Sequence, residues 1–108
     1  MGEVIQLHQS VFTVGQLVEH RLFGYRGVVV GVDMKFRLTD EWYNQVAQSR
    51  PPKNKPWYHV LVDGATHRTY VAERNLMAAS TDEPVDHPLI GYYFTAFTDG
   101  HYTAKKKP

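Results

Sequence analysis

Four valines fall within five consecutive positions, at Val28, Val29, Val30 and Val32, with no polar residue between them. A strand with one wet face would alternate; this run predicts a strand buried on both faces. Gly27 and Gly31 bracket it. Glycine inside a strand marks a bulge or a sharp bend, and two bends in one long strand suit the corners of a small closed barrel. Upstream, Val18, His20 and Leu22 alternate with Glu19 and Arg21, the period of a half-buried strand. Phe23-Gly24-Tyr25 then reads as a turn in which glycine supplies the positive φ of a tight hairpin. Trp57 to Val62 is the strongest strand signal, with Tyr58, Val60 and Val62 on one face and Trp57, His59 and Leu61 on the other. Asp63-Gly64 reads as a turn, His67 to Ala72 as the partner strand, and Glu73 to Met77 as a short turn and a last strand fragment.

Between the second and third strands, Met34 to Lys55 forms an excursion, and long excursions often carry function. Thr39 can cap a short helix running to Ala47, with Asp40 and Glu41 at the positive end of its dipole. Pro51, Pro52 and Pro56 make the following stretch a loop. After a polar linker at Thr81 to Pro84, residues Leu89, Ile90, Tyr93, Phe94 and Phe97 fall on one face of a short helix. Pro88 in its first turn and Gly100 beyond its end fit that reading. The domain plan is a loose arm at 1–11, one domain at 12–102 and a basic tail at 103–108.

A chain of 108 residues suits a single domain. It contains no cysteine, which excludes disulfides, thiolate catalysis and cysteine-ligated zinc and fits a reducing compartment. The N-terminus lacks a basic region followed by an apolar stretch, and no apolar run approaches the ~20 residues of a membrane span. The expectation is a cytoplasmic protein with no membrane partner. Net charge is +1, from 12 basic and 11 acidic side chains. Without Lys105, Lys106 and Lys107, nine basic side chains face eleven acidic ones. A nucleic-acid contact would therefore rest on a local patch, not on the overall field.

Catalytic patterns are missing. Ser10, Ser49 and Ser80 lie in an arm or loops without a nucleophile elbow, and the glycines follow strand-forming residues, unlike those of a phosphate-binding loop. The six histidines form no ligand motif. The one pairing open to them is His20 with His59 across adjacent strands, against the commoner role of a hydrogen-bonded histidine on a strand face. Asp40/Glu41 and Asp82/Glu83 read as a helix start and a solvated linker. No enzyme, metal or cofactor is expected.

The aromatic residues carry more information. Phe12, Tyr25, Trp57, Tyr58, Tyr70, Tyr93, Phe94 and Phe97 are mostly core, whereas Trp42 and Tyr43 in the excursion are the best candidates for an exposed anchor. Together with Arg50, Lys53, Lys55 and Trp57 they form the expected partner-binding set. An alternative nucleic-acid surface would use Arg21, Arg26, Arg37, Arg50, Lys53 and Lys55; the competing reading of these charges is a solvated surface.

Taken in order, the blocks are Phe12-x-x-Gly15-x-x-Val18-x-His20, Gly24-Tyr25-x-Gly27-Val28-Val29, Pro56 to Val62, Tyr70-Val71-Ala72-Glu73-x-Asn75-Leu76, and His87-Pro88-x-Ile90-x-x-Tyr93-Phe94-x-x-Phe97. This series resembles the HspQ family, also called the YccV-like or hemimethylated-DNA-binding domain, from about Phe12 to Tyr102. The resemblance implies a mainly β fold, an SH3-like small β-barrel, here with a short helix in the insertion and a C-terminal helical segment. It implies a non-enzymatic heat-shock accessory role that promotes degradation of denatured proteins by binding a Lon-type protease or its clients. It also implies, as the alternative, binding to hemimethylated DNA, and a capacity to self-associate into a homo-oligomer. The Phe-x-x-Gly-x-x-Val opening is similar to that of CarD-type Tudor-like barrels, which gives docking onto RNA polymerase as a third reading.

Overall fold

The computed structural model describes residues 10–106; most of the expected N-terminal arm and the end of the basic tail lie outside them. The strand readings of the first three-quarters of the chain hold. β1 (Leu17–His20), β2 (Arg26–Asp33), β3 (Trp57–Val62), β4 (Arg68–Ala72) and β5 (Leu76–Ala78) form one antiparallel sheet in the order β4-β3-β2-β1-β5. Val28 and Val29 are fully buried on opposite faces, as the unbroken valine run demands. Gly24 takes φ 74° in the β1–β2 hairpin. Leu22 lies past the end of β1, exposed in that hairpin, so it does not continue the strand's inner row.

The two bracketing glycines act differently. The β2–β3 register shifts between Val29 and Gly31, so the bulge sits where one glycine was expected to mark it. Gly27 instead allows close approach: a Cβ there would lie 2.5 Å from the Leu61 carbonyl oxygen and from Val60 Cγ1. The sheet does not close by hydrogen bonding, which corrects the expected closed barrel. β4 and β5 remain its two edges, linked along the chain by a single 3-10 turn at Glu73–Asn75. All five strands nevertheless send side chains into one cluster: Val18, Val29, Tyr58 and Val60, Val71, and Leu76, with Phe12 added from the entry segment.

The C-terminal segment departs from its helical reading. The helix α2 is confined to Ile90–Tyr93, and Phe94–Thr98 (β6) and His101–Ala104 (β7) form a second, two-stranded sheet. Asp99 and Gly100 take φ 51° and 76°, both in the left-handed region that a two-residue hairpin turn requires. Gly100 thus belongs to the turn of a hairpin rather than to the end of a helix, and β7 runs two residues beyond the expected domain limit at 102. Tyr102 joins the hairpin to the main sheet: its N–H donates to Gly15 O at 2.9 Å, and its hydroxyl accepts the Val85 N–H at 2.9 Å. Phe94, Tyr102 and Val85 cover Leu17, Val28 and Leu61 on the second face of the sheet. Each such buried aliphatic side chain contributes roughly 1.5–3 kcal/mol.

Among the described residues, no helix is long and apolar enough to cross a membrane, and no group of three or more His, Asp or Glu side chains is placed to hold a metal.

Candidate functional site

The excursion leaves β2 at Asp33 and rejoins β3 at Trp57, and these two residues are cross-strand partners. Its helix α1 spans Asp40–Val46, and Thr39 caps it by accepting the Trp42 N–H at 3.1 Å. The base of the excursion is fixed by polar contacts. Tyr70 donates its hydroxyl hydrogen to Asp33 Oδ2 at 2.7 Å, and His59 Nε2 lies 3.3 Å from the same oxygen. Burial and the Asp33 carboxylate both raise the Tyr70 hydroxyl well above an ordinary phenol.

The expected anchor residues separate under this geometry. Tyr43 is only 8% exposed and Trp57 only 1%, so neither is an exposed contact residue. Both staple the excursion to the sheet. The Tyr43 hydroxyl donates to Pro51 O at 2.7 Å, and the Trp57 indole N–H donates to Pro52 O at 3.0 Å. Consecutive prolines offer no N–H of their own, and their carbonyls take these buried donors. Trp42 stays half-buried, edge-on to Trp57 at 6.0 Å and to Tyr70 at 5.7 Å.

The basic set also divides. Arg26 pairs with Asp63 at 3.3 Å and donates to Glu83 O at 2.6 Å, at the end of β2 remote from the excursion. It is neutralised in place, which removes it from a common cationic surface. Arg21 is tied through Nε to Leu76 O at 3.0 Å. Lys53 pairs with Asp40 at 2.8 Å and lies over the Tyr43 ring at 4.4 Å. Arg50 donates to Asn44 Oδ1 at 2.8 Å. Arg37 and Lys55 are exposed. Lys55 shares a shallow depression with Arg74, a residue the sequence reading passed over, whose guanidinium reaches Ser49 O.

His20 and His59 do not meet, because β2 runs between their strands. His20 Nδ1 accepts the N–H groups of Leu22 and Phe23, each at 3.1 Å, and burial lowers its pKa. An unprotonated Nδ1 is what such an acceptor requires. The ring stacks on Phe23 at 4.5 Å, holding that side chain outward with 77% of its surface exposed.

That exposed phenylalanine forms one rim of a groove of about 1060 Å3. Leu22 and Phe23 stand on the hairpin side, Leu38 and Val46 on the excursion side, and β4 forms the floor between them. Leu22, Phe23, Leu38 and Val46 are all exposed large apolar side chains. Their convergence from two distant segments could not be read from spacing; the signal available was the placement of Leu22-Phe23 in a turn, where apolar side chains have no core to enter.

The family model of hemimethylated DNA-binding proteins of the YccV-like type matches residues 10–101, which takes in the sheet, the excursion and most of the C-terminal hairpin. The chain belongs to this family. The groove of this YccV-like domain and the excursion that walls it therefore lie inside the matched region. So do Arg50, Lys53, Lys55 and Arg74.

Proposed function

We propose that this YccV-like protein is a non-enzymatic accessory factor of protein quality control, one that takes up exposed apolar segments of denatured proteins and promotes their degradation by a Lon-type protease. The observation that carries the reading is the groove over β4, walled by four exposed large apolar side chains. An exposed apolar concavity on a small domain marks an interaction site. The near-neutral net charge favours a protein partner over a polyanion. The strand order, with one 3-10 turn between β4 and β5, supports an SH3-like architecture, and the cysteine-free chain supports a cytoplasmic setting.

The test follows degradation of a heat-denatured reporter protein by a Lon-type protease, with and without the chain. The wild type accelerates degradation and retains the denatured reporter; Phe23→Ser and Val46→Ser do neither while keeping the native thermal transition. A wild-type chain that neither retains the reporter nor alters its degradation removes the reading.

A second reading is DNA binding, favoured by the description of the matching family and by Lys55 and Arg74, which line one depression together with Glu73. It predicts affinity for a hemimethylated duplex that falls steeply with salt as phosphate contacts release counterions, and that weakens in Lys55→Ala and Arg74→Ala. Affinity unchanged between low and moderate salt removes this reading.

A further inference from the structure

Five consecutive residues of β4, Arg68 to Ala72, line the groove. Alternate side chains of a strand point to opposite faces, so a groove lying on one face would be lined by every second residue. A groove lined by consecutive residues runs along the strand's edge, and β4 is an edge of the sheet. Its outward main-chain groups can be named. Val62 N–H bonds to His67 O, and Glu73 N–H bonds to Pro56 O. With the register between them unbroken, the residues of β4 that exchange hydrogen bonds with β3 are Thr69 and Val71. Arg68, Tyr70 and Ala72 therefore turn their N–H and C=O groups away from β3, and among the described residues those groups have no main-chain partner beyond it.

The groove is also charged in one sense. Its lining includes no aspartate or glutamate, and its formal charge is Arg68, with His20 and His59 beside it. Among the described residues the ion pairs of lysine and arginine are Arg26–Asp63 and Lys53–Asp40, and His59 Nε2 lies 3.3 Å from Asp33 Oδ2. Among the described residues the Arg68 guanidinium hydrogen-bonds to the Tyr93 hydroxyl alone, at 3.2 Å.

We propose that β4 is a strand-addition site: an extended polypeptide segment with apolar side chains and one carboxylate pairs with the outer edge of β4, its apolar side chains between Phe23 and Val46 and its carboxylate against Arg68. The proposal rests on the protein-binding reading above and specifies how the client is held. Main-chain pairing supplies affinity without regard to sequence, as a factor that meets many unfolded chains requires. The edge is open from Arg68 to Tyr70, about 7 Å and room for about three residues; beyond it Val71 and Ala72 are buried, Ala72 against Tyr43 and Ala47. The single carboxylate gives direction and register.

The test uses the full chain and a dye-labelled synthetic peptide of alternating valine and threonine ending in glutamate. The unmodified peptide binds. N-methylation of every second peptide amide in one register weakens binding at least about tenfold, and methylation in the other register has little effect. Arg68→Gln costs as much as replacing the peptide's glutamate with glutamine, and the two losses do not add. An unmodified peptide that fails to bind at millimolar concentration overturns the proposal, as does binding indifferent to both methylation registers. If that indifference occurs while Phe23→Ser still abolishes retention of denatured protein, strand addition falls and the accessory role stands. If the peptide binds as described but the chain leaves degradation untouched, the accessory role falls and the edge site stands.

Discussion

The hydroxyl of Tyr58, a residue with no solvent-exposed surface, donates to the Glu73 carboxylate at 2.6 Å. Glu73 Oε1 also accepts the Val11 N–H at 2.9 Å, and the Tyr58 oxygen accepts the Phe12 N–H at 3.2 Å. The entry of the chain into the domain, the start of β3 and the turn between β4 and β5 are thereby held at one point. Tyr58→Phe leaves the Phe12 N–H without its partner and takes from Glu73 Oε1 one of its two donors. The expected cost is about 1–3 kcal/mol, measured by urea unfolding.

Alkaline pH should weaken the fold through the same residue. Burial, with Glu73 beside it, pushes the Tyr58 hydroxyl from 10.0 up to about 12, and burial with Asp33 raises Tyr70 as well. A group whose folded pKa is raised contributes stability that is fully present below its unfolded pKa and is lost as pH climbs through the folded one. The unfolding free energy should be level up to about pH 10 and fall steadily above it. In Tyr58→Phe that fall should be shallower, with one late-ionising phenol missing from a tyrosinate absorbance titration.

Acid should act on the hairpin tip. Burial lowers the pKa of His20, and the stability it contributes is present above the unfolded histidine value and lost as pH falls through the folded one. Protonation of Nδ1 turns the acceptor of the Leu22 and Phe23 N–H groups into a donor. Below pH ~6, amide exchange at Leu22 and Phe23 should accelerate before that of β2 and β3, and the groove should lose affinity for denatured protein. His20→Gln should remove this acid step.

Two glycine substitutions should separate close approach from bending. Gly27→Ala places a Cβ 2.5 Å from the Leu61 carbonyl oxygen, a main-chain atom inside the ladder that cannot give way. A loss of at least about 2 kcal/mol is expected. Gly31→Ala meets His59 Cδ2 at 3.1 Å, a side chain able to turn, and should cost under about 1 kcal/mol. Chemical denaturation of both variants checks the ranking.

Tyr43→Phe removes the donor to Pro51 O. The excursion should open locally, so that amides of α1 exchange faster while those of β3 keep their protection. Global stability should drop by about 1 kcal/mol.

The strands that form the sheet were legible because their local chemistry and their final environment agree. Val28 and Val29 are apolar with nothing between them and end buried on both faces; Thr39 caps the helix its side chain suggests. The C-terminal hairpin was misread because Leu89, Ile90, Tyr93, Phe94 and Phe97 satisfy a helical period by coincidence. The stronger local signal was Asp99-Gly100 between aromatic and β-branched neighbours, a hairpin turn pair. Tyr43 looks like a surface anchor in sequence, but the proline carbonyl beside it draws it inward, as its neighbour's does Trp57 of the expected partner-binding set. The groove was not legible at all, since its walls come from the β1–β2 hairpin and the excursion, which only the folded sheet brings to one edge.

Asp33 and Trp57 face each other across two neighbouring strands, so the twenty-three residues between them depart and return at almost the same point. Such a segment can be exchanged as a cassette without re-registering the ladder beneath it. Lengthening or replacing it would alter which guests fit while the supporting framework stays constant, and a graft of residues 34–56 should carry its own selectivity into a related scaffold.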